Sequence, residues 1–217
     1  MVKILVTGYE HSGTTMLMQL LRSHPQIAWI ENEEGLIEFD KPKEWVLMMA
    51  KKRVENLKEF AWGEKIPWSD RPTDKNAERV IEFSKKWLKH FKNEARILHI
   101  LRHPLDVFYS GRSYEMTNDK ALNHIIKTTL KYIDFLNASK RNRTIVYENL
   151  VTDPITNLKK IFDFLNLLSD EKTIQKVINS DLKFGKINSN RAFAFKNKNI
   201  KSNIDYDEII GKVKNLL

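Results

Sequence analysis

The chain has 217 residues, which fits one domain with a real core. With 41% apolar and 30% charged residues it reads as globular and not disordered, and the absence of cysteine excludes a disulfide framework and cysteine-based metal sites and fits a reducing, cytoplasmic compartment. The net charge of +9 suits an anionic ligand, an anionic acceptor or nucleic acid, although lysine bias spread along the chain accounts for it equally well.

Met1 leads almost directly into Lys3-Ile4-Leu5-Val6-Thr7, a short apolar run that reads as a buried strand, so no leader peptide is expected. Next comes Gly8-Tyr9-Glu10-His11-Ser12-Gly13-Thr14-Thr15, and then Met16, Leu17, Leu20 and Leu21 at the spacing of one helix face. The loop therefore joins a strand to a helix N-terminus. Its glycines allow tight turning and close approach, the free N–H groups of the first helical turn attract an anion, and Thr14 and Thr15 add hydroxyls. The spacing matches a P-loop except that Thr14 stands where the lysine of a nucleoside triphosphatase belongs, which makes γ-phosphate chemistry a poor fit.

Ile27 to Ile30 reads as a second strand, ending in Glu31-Asn32-Glu33-Glu34. Lys43 to Phe60 is helix-like, Trp62 to Trp68 reads as a strand end or loop, and Asp74 is a candidate cap for a helix to about Phe91. Arg96 to Leu101 is a third strand, after which Pro104 starts a helix carrying Val107, Phe108 and Ser110. A long helix spans about Asp119 to Ala138, Thr144 to Tyr147 is a fourth strand, and Asp153-Pro154 opens an amphipathic helix through Leu165. A helix over roughly 169–178, a basic loop over 180–202 and a last helix over about 205–216 complete the chain. No apolar run reaches the ~18 residues of a membrane span.

Strands alternating with helices predict an α/β fold, a P-loop-like parallel sheet flanked by helices on both faces, in one domain over 1–217. Ligands of such sheets bind beyond the C-terminal strand ends. The first loop, the Glu31–Glu34 cluster and Arg102 all follow strands, so they are expected at one edge. Arg102 offers a planar fork for phosphate, and Ser110 lies eight residues on. No acidic residue follows the strand ending at Leu101 to hold Mg²⁺ in the manner of a P-loop enzyme, so no metal is expected. Two anion sites on one edge point to a nucleotide with phosphates at both ends.

These stretches resemble the sulfotransferases that use PAPS, 3′-phosphoadenosine 5′-phosphosulfate. Gly8 to Thr15, with its helix ending at His24-Pro25, is similar to the family's 5′-phosphosulfate loop. Ile100-Leu101-Arg102-His103-Pro104-Leu105-Asp106-Val107 with Ser110 is similar to its 3′-phosphate motif, and Val146-Tyr147-Glu148-Asn149-Leu150 with Asp153-Pro154 and Phe164-Leu165 to its late strand-and-helix segment. Ile30-Glu31-Asn32-Glu33 and Glu64-Lys65-Ile66-Pro67-Trp68 bring it nearest the carbohydrate branch, the heparan-type glucosaminyl enzymes. The resemblance covers about residues 3–168 and implies a three-layer sandwich.

It further implies transfer of the sulfuryl group of PAPS to a hydroxyl or amine acceptor, giving PAP. Gly8, His11, Ser12, Gly13, Thr14 and Thr15 would hold the 5′ end; Arg102 and Ser110 the 3′-phosphate; Tyr147, Lys186 and Arg191 would complete the nucleotide site. Glu33 would be the base, and His11 and Lys65 would stabilise the leaving oxygen. In an extended segment Glu31 shares the face of Glu33, so the two carboxylates can split roles, Glu31 binding the acceptor. The family's usual Lys or Arg before Ser12 is replaced by His11. A nucleotide kinase or nucleoside triphosphatase and a non-catalytic basic nucleic-acid-binding module are the other readings; the missing loop lysine counts against the first.

Overall fold

The computed structural model describes residues 2–29, 61–68, 77–110, 119–182, 187–193, 205–214 and 216. Its strands are β1 (Lys3–Tyr9), β2 (Ile27–Trp29), β3 (Ala61–Trp68), β4 (Ala95–Leu101) and β5 (Asn142–Val146). Its helices are α1 (Thr14–Arg22), α2 (Ala77–Phe91), α3 (Pro104–Ser110), α4 (Asp119–Asn137), α5 (Tyr147–Thr152), α6 (Pro154–Phe164), α7 (Glu171–Ile178) and α8 (Tyr206–Gly211), with single 3₁₀ turns at 92–94 and 189–191. The readings over 30–60 and at Asp74 lie outside the described residues.

The five strands form one parallel sheet in the order β2-β3-β1-β4-β5. β1 is central and every residue of it is buried, which is why it reads as an almost unbroken apolar run. Alternation sorts its side chains: Ile4 and Val6 join Leu98, Ile100, Leu17, Leu20, Leu158 and Phe162 on one face, while Leu5 and Tyr9 join Ile97, Val80, Trp87, Phe108 and Ile125 on the other. Helices therefore cover both faces, α1 and α5–α7 on one side and α2–α4 on the other. Each fully buried leucine of α1 contributes on the order of 1.5–3 kcal/mol. A third cluster, Leu101, Ile133, Tyr206, Ile209 and Val213, docks α8 beside the end of β4.

The sequence reading of Trp62–Trp68 as a strand end or loop is corrected: Ala61–Trp68 is an eight-residue strand paired along its length to β1. Gly63 and Pro67 carry the breaker signal. β2, however, pairs only with Ala61–Gly63, so among the described residues one side of β3 is an open edge near Pro67, where proline is tolerated. Tyr147, read as the end of a strand, is instead the first residue of α5. The last helix is shorter than read, ending at Gly211. Asp153 does cap α6, its carboxylate accepting from the Thr156 amide at 3.2 Å.

After β1 the chain builds β2 and β3 on one side and then crosses to β4 and β5 on the other. The crevice beyond β1 and β4 is thus the topological switch point of the sheet, the place where such folds bind ligands.

Candidate functional site

The loop after β1 is shaped by two residues with left-handed backbone. The Ser12 amide donates to the Tyr9 carbonyl at 3.0 Å, closing a turn in which His11 takes φ 66°. Gly13 follows with φ 104° as the N-cap of α1, and no side chain caps that helix. Its first amides are therefore left for a ligand. Gly8 serves close approach, not turning. It lies within β1, and a Cβ there would come to 2.5 Å from Ser12 Oγ and 2.7 Å from the Thr14 methyl. Ser12 is 1% exposed and its hydroxyl has no hydrogen-bond partner. A buried orphan hydroxyl beside an uncapped helix N-terminus is a donor set waiting for an oxyanion.

β3 brings Lys65 beside this cradle, because Lys65 pairs with Val6 of β1. Lys65 is 5% exposed, and its ammonium donates to Thr15 Oγ1 at 3.0 Å. The positive charge missing from the loop at Thr14 arrives from the neighbouring strand.

Arg102 follows β4 directly, and its side chain is 11% exposed. Nη1 donates to the His11 carbonyl at 3.0 Å, the guanidinium lies 4.5 Å from the centroid of the Tyr147 ring, and Nε is 3.9 Å from Asp106 Oδ2. The Tyr147 ring in turn fills the space over Gly13, where a Cβ would meet it at 2.6 Å. Both left-handed residues of the loop are thus held from outside, His11 by Arg102 and Gly13 by Tyr147. Ser110 is the exposed last residue of α3. It lies one turn beyond Asp106, which itself lies four residues past Arg102, so the three share a side of the structure.

Behind Arg102 is a group that the sequence reading quoted without giving it a role. Glu148 is 2% exposed; its Oε1 accepts from the His103 amide and its Oε2 from the Tyr206 hydroxyl, both at 2.9 Å. Burial pushes the Glu148 carboxyl up, against the pull of those hydrogen bonds and of Arg102. Burial and then the Glu148 charge push the Tyr206 phenol up. The His103 ring lies 4.7 Å from Tyr206 and 6.0 Å from Phe193. The Asp106 and Glu148 signals were in the motifs; the long-range partner Tyr206 had none.

The structure therefore brings together Gly8, His11, Ser12, Gly13, Thr14, Thr15, Lys65, Arg102 and Tyr147. Arg191 closes the 3₁₀ turn at 189–191, two residues before Phe193, which packs near His103. Glu31, Glu33 and Lys186 lie outside the described residues. Among the described residues no His, Asp or Glu cluster has the arrangement of a metal site, and no helix is long and apolar enough to cross a membrane.

A parallel sheet with a phosphate-type cradle at its switch point and an arginine presented from the adjacent strand defines an α/β enzyme of P-loop-like build that handles anionic groups. The chain belongs to the sulfotransferase-domain family, whose model matches residues 2–212, and it is a PAPS-dependent sulfotransferase. Solved structures share the fold. The sulfotransferase domain of the curacin biosynthetic pathway aligns with TM-score 0.65 at 16% identity over 96% of this chain and 95% of that one. The sulfotransferase domain of the olefin synthase of Synechococcus PCC 7002 aligns with TM-score 0.62 at 16% identity over 97% and 92%. Mouse sulfotransferase SULT7A1, complexed with PAP, aligns with TM-score 0.50 at 13% identity over 88% and 72%. Among curated proteins none matches the sequence.

Proposed function

We propose that this enzyme transfers the sulfuryl group of PAPS to a hydroxyl or amine of a carbohydrate acceptor, releasing PAP, in a cytoplasmic setting and as a single domain. The observation that carries the donor side is the Arg102–His11 hydrogen bond, which ties the two anion-binding segments together at one strand edge. In this reading Ser12, Thr14, Thr15 and the first amides of α1 receive the 5′-phosphosulfate. Arg102 and Ser110 receive the 3′-phosphate. Tyr147 backs the nucleotide site by holding Gly13 and Arg102, and Lys186 and Arg191 close over it.

In the reaction a bond forms from the acceptor oxygen or nitrogen to sulfur while the bond from sulfur to the 5′-phosphate oxygen breaks. Charge grows on that leaving oxygen. Lys65 is the buried cation at the cradle and His11, when protonated, a second donor. They fill the place of the family's usual loop Lys or Arg. The acceptor proton goes to a carboxylate, for which Glu33 is the assignment, carried by the resemblance to the carbohydrate branch; Glu31, on the same side of an extended segment, is the acceptor-binding neighbour.

The test is transfer of labelled sulfate from PAPS to a panel of sugar hydroxyls, sugar amines and simple alcohols, with Glu33→Gln alongside. Turnover should fall by about 10²–10⁴ with PAPS affinity almost unchanged. Near-normal turnover in Glu33→Gln with loss in Glu34→Gln would move the base along the loop. Activity only on non-sugar alcohols would overturn the acceptor class.

A further inference from the structure

The N-terminal edge of the sheet, opposite the cradle, carries a cluster of arginines with no catalytic role. Arg96 is the second residue of β4, six residues or about 20 Å of strand from Arg102. Arg143 lies on the paired strand, opposite Leu98, and Arg141 precedes β5 with its carbonyl bonded to the Ile97 amide at 3.0 Å. The guanidiniums of Arg96 and Arg143 share the ring of Phe164 at the end of α6, 5.7 and 4.8 Å from its centroid.

Their hydrogen bonds go to main-chain carbonyls only. Arg96 Nη1 reaches Asn93 and Ala95 at 2.7 and 2.9 Å; Arg143 Nη1 reaches Lys140 and Asn142, both at 2.9 Å. Arg141 is spent on Leu88 and Lys92 at the end of α2. Among the described residues no carboxylate pairs with any of the three; the surface ion pairs form elsewhere, as in Lys131–Glu78 and Lys159–Asp163. Glu94, in the adjoining turn, faces Lys3. Exposed Lys92 and Lys140 rim the cluster. Burial, and then the charges of Arg141 and Arg143, hold the Arg96 guanidinium below its ordinary value. Like charges gathered on one aromatic ring, with Nε and Nη2 of Arg96 and Arg143 making no protein hydrogen bond, are unfavourable until an anion joins them.

We propose that Arg96 and Arg143, seated on Phe164 and rimmed by Lys92 and Lys140, form a second anion site that takes a phosphate-type oxyanion, either free or as a phosphate monoester. Each guanidinium offers its remaining N–H donors to the oxygens of such a group, and both are held against the same ring. A bound dianion offsets the repulsion among the guanidiniums. The site lies at the far end of the sheet from the cradle, so it fills independently of the nucleotide.

The experiment follows the arginine Nε–Hε NMR signals of the whole chain with one equivalent of PAP, enough for the cradle alone, at constant ionic strength, while inorganic phosphate and, separately, phenyl phosphate are added. The Arg96 and Arg143 signals should move saturably with a dissociation constant of about 1 mM or tighter, with Arg22 and Arg79 still. Arg143→Gln should abolish the shift at Arg96. Tighter saturation by phenyl phosphate assigns a monoester; equal or tighter saturation by inorganic phosphate assigns the free ion. Uniform, unsaturable shifts of all arginines, no shift, or an Arg96 response that survives Arg143→Gln would overturn the site. Should Arg143→Gln not fold, the saturable and local response of the unaltered chain decides alone.

Discussion

Arg102 Nη1 donates to the main-chain carbonyl of His11 across 3.0 Å, joining residues 91 apart in sequence and the two segments proposed to bind the ends of the nucleotide. Arg102 is therefore a brace on the loop, and under the proposed function it also reads the 3′-phosphate. Arg102→Ala should weaken PAP by about 1.5–3 kcal/mol, the value of a charge-assisted contact. ADP should weaken less, through loss of the brace alone. Isothermal titration with both nucleotides measures this; an unchanged PAP-to-ADP preference would remove Arg102 as reader of the 3′-phosphate.

Under the proposed function Lys65 and His11 divide the work of the family's loop cation. Lys65→Met removes a buried ammonium that donates to Thr15 at 3.0 Å, so turnover should fall by roughly 10²–10³ while PAP binding falls far less, as expected of a group whose main partner is charge that develops during reaction. His11→Lys should keep or raise turnover and His11→Ala should lower it with cofactor binding largely intact. His11 holds φ 66°, so His11→Gly should raise stability by up to about 1 kcal/mol and still lower turnover. Steady-state kinetics beside thermal melts separate the two effects. Loss of activity in a folded, PAPS-binding His11→Lys variant would mean that the imidazole itself is needed.

Acid should destabilise the fold through His99. This residue of β4 is 1% exposed, lies 3.4 Å from Thr7 Oγ1 and packs 5.0 Å from the Tyr132 ring, and burial lowers its pKa to about 3 from an ordinary 6.5. Below pH 6.5 the unfolded chain takes up a proton that the folded chain refuses until about pH 3. Stability present above 6.5 is therefore lost as pH falls across that window, by on the order of 5 kcal/mol in all. Glu148 works in the opposite sense: its raised pKa gives stability below about 4.5 that is lost as pH rises. Urea melts from pH 7 to pH 3.5 should show a flatter decline in His99→Gln than in the parent; identical slopes would contradict the account.

The layers were legible because β1 and β4 are buried on both faces, and helices such as α2 and α6 carry one apolar stripe. β3 was not. Gly63 and Pro67 look like breakers, and only the pairing of β3 with β1 on one side, next to an open edge on the other, makes it a strand. The cradle and Arg102 were legible as local motifs after strands. Their direct bond was not, since nothing in sequence announces a carbonyl acceptor. The sequence reading has both glycines serve tight turning and close approach together; which serves which was not legible, and Gly8 serves by smallness, making room for the Ser12 hydroxyl. Glu148 escaped because its partners, the His103 amide and Tyr206, come from distant segments that only the docking of α8 brings close.

One nucleotide with phosphates at both ends is expected to span the cradle and Arg102 without a metal. This is tested most directly by thermal melts in EDTA with PAP, ADP or neither, at matched concentrations. PAP at about 100 times its dissociation constant should add roughly 2.7 kcal/mol of stability, and ADP distinctly less. Equal stabilisation by ADP and PAP, or stabilisation that appears only when Mg²⁺ is restored, would contradict the account.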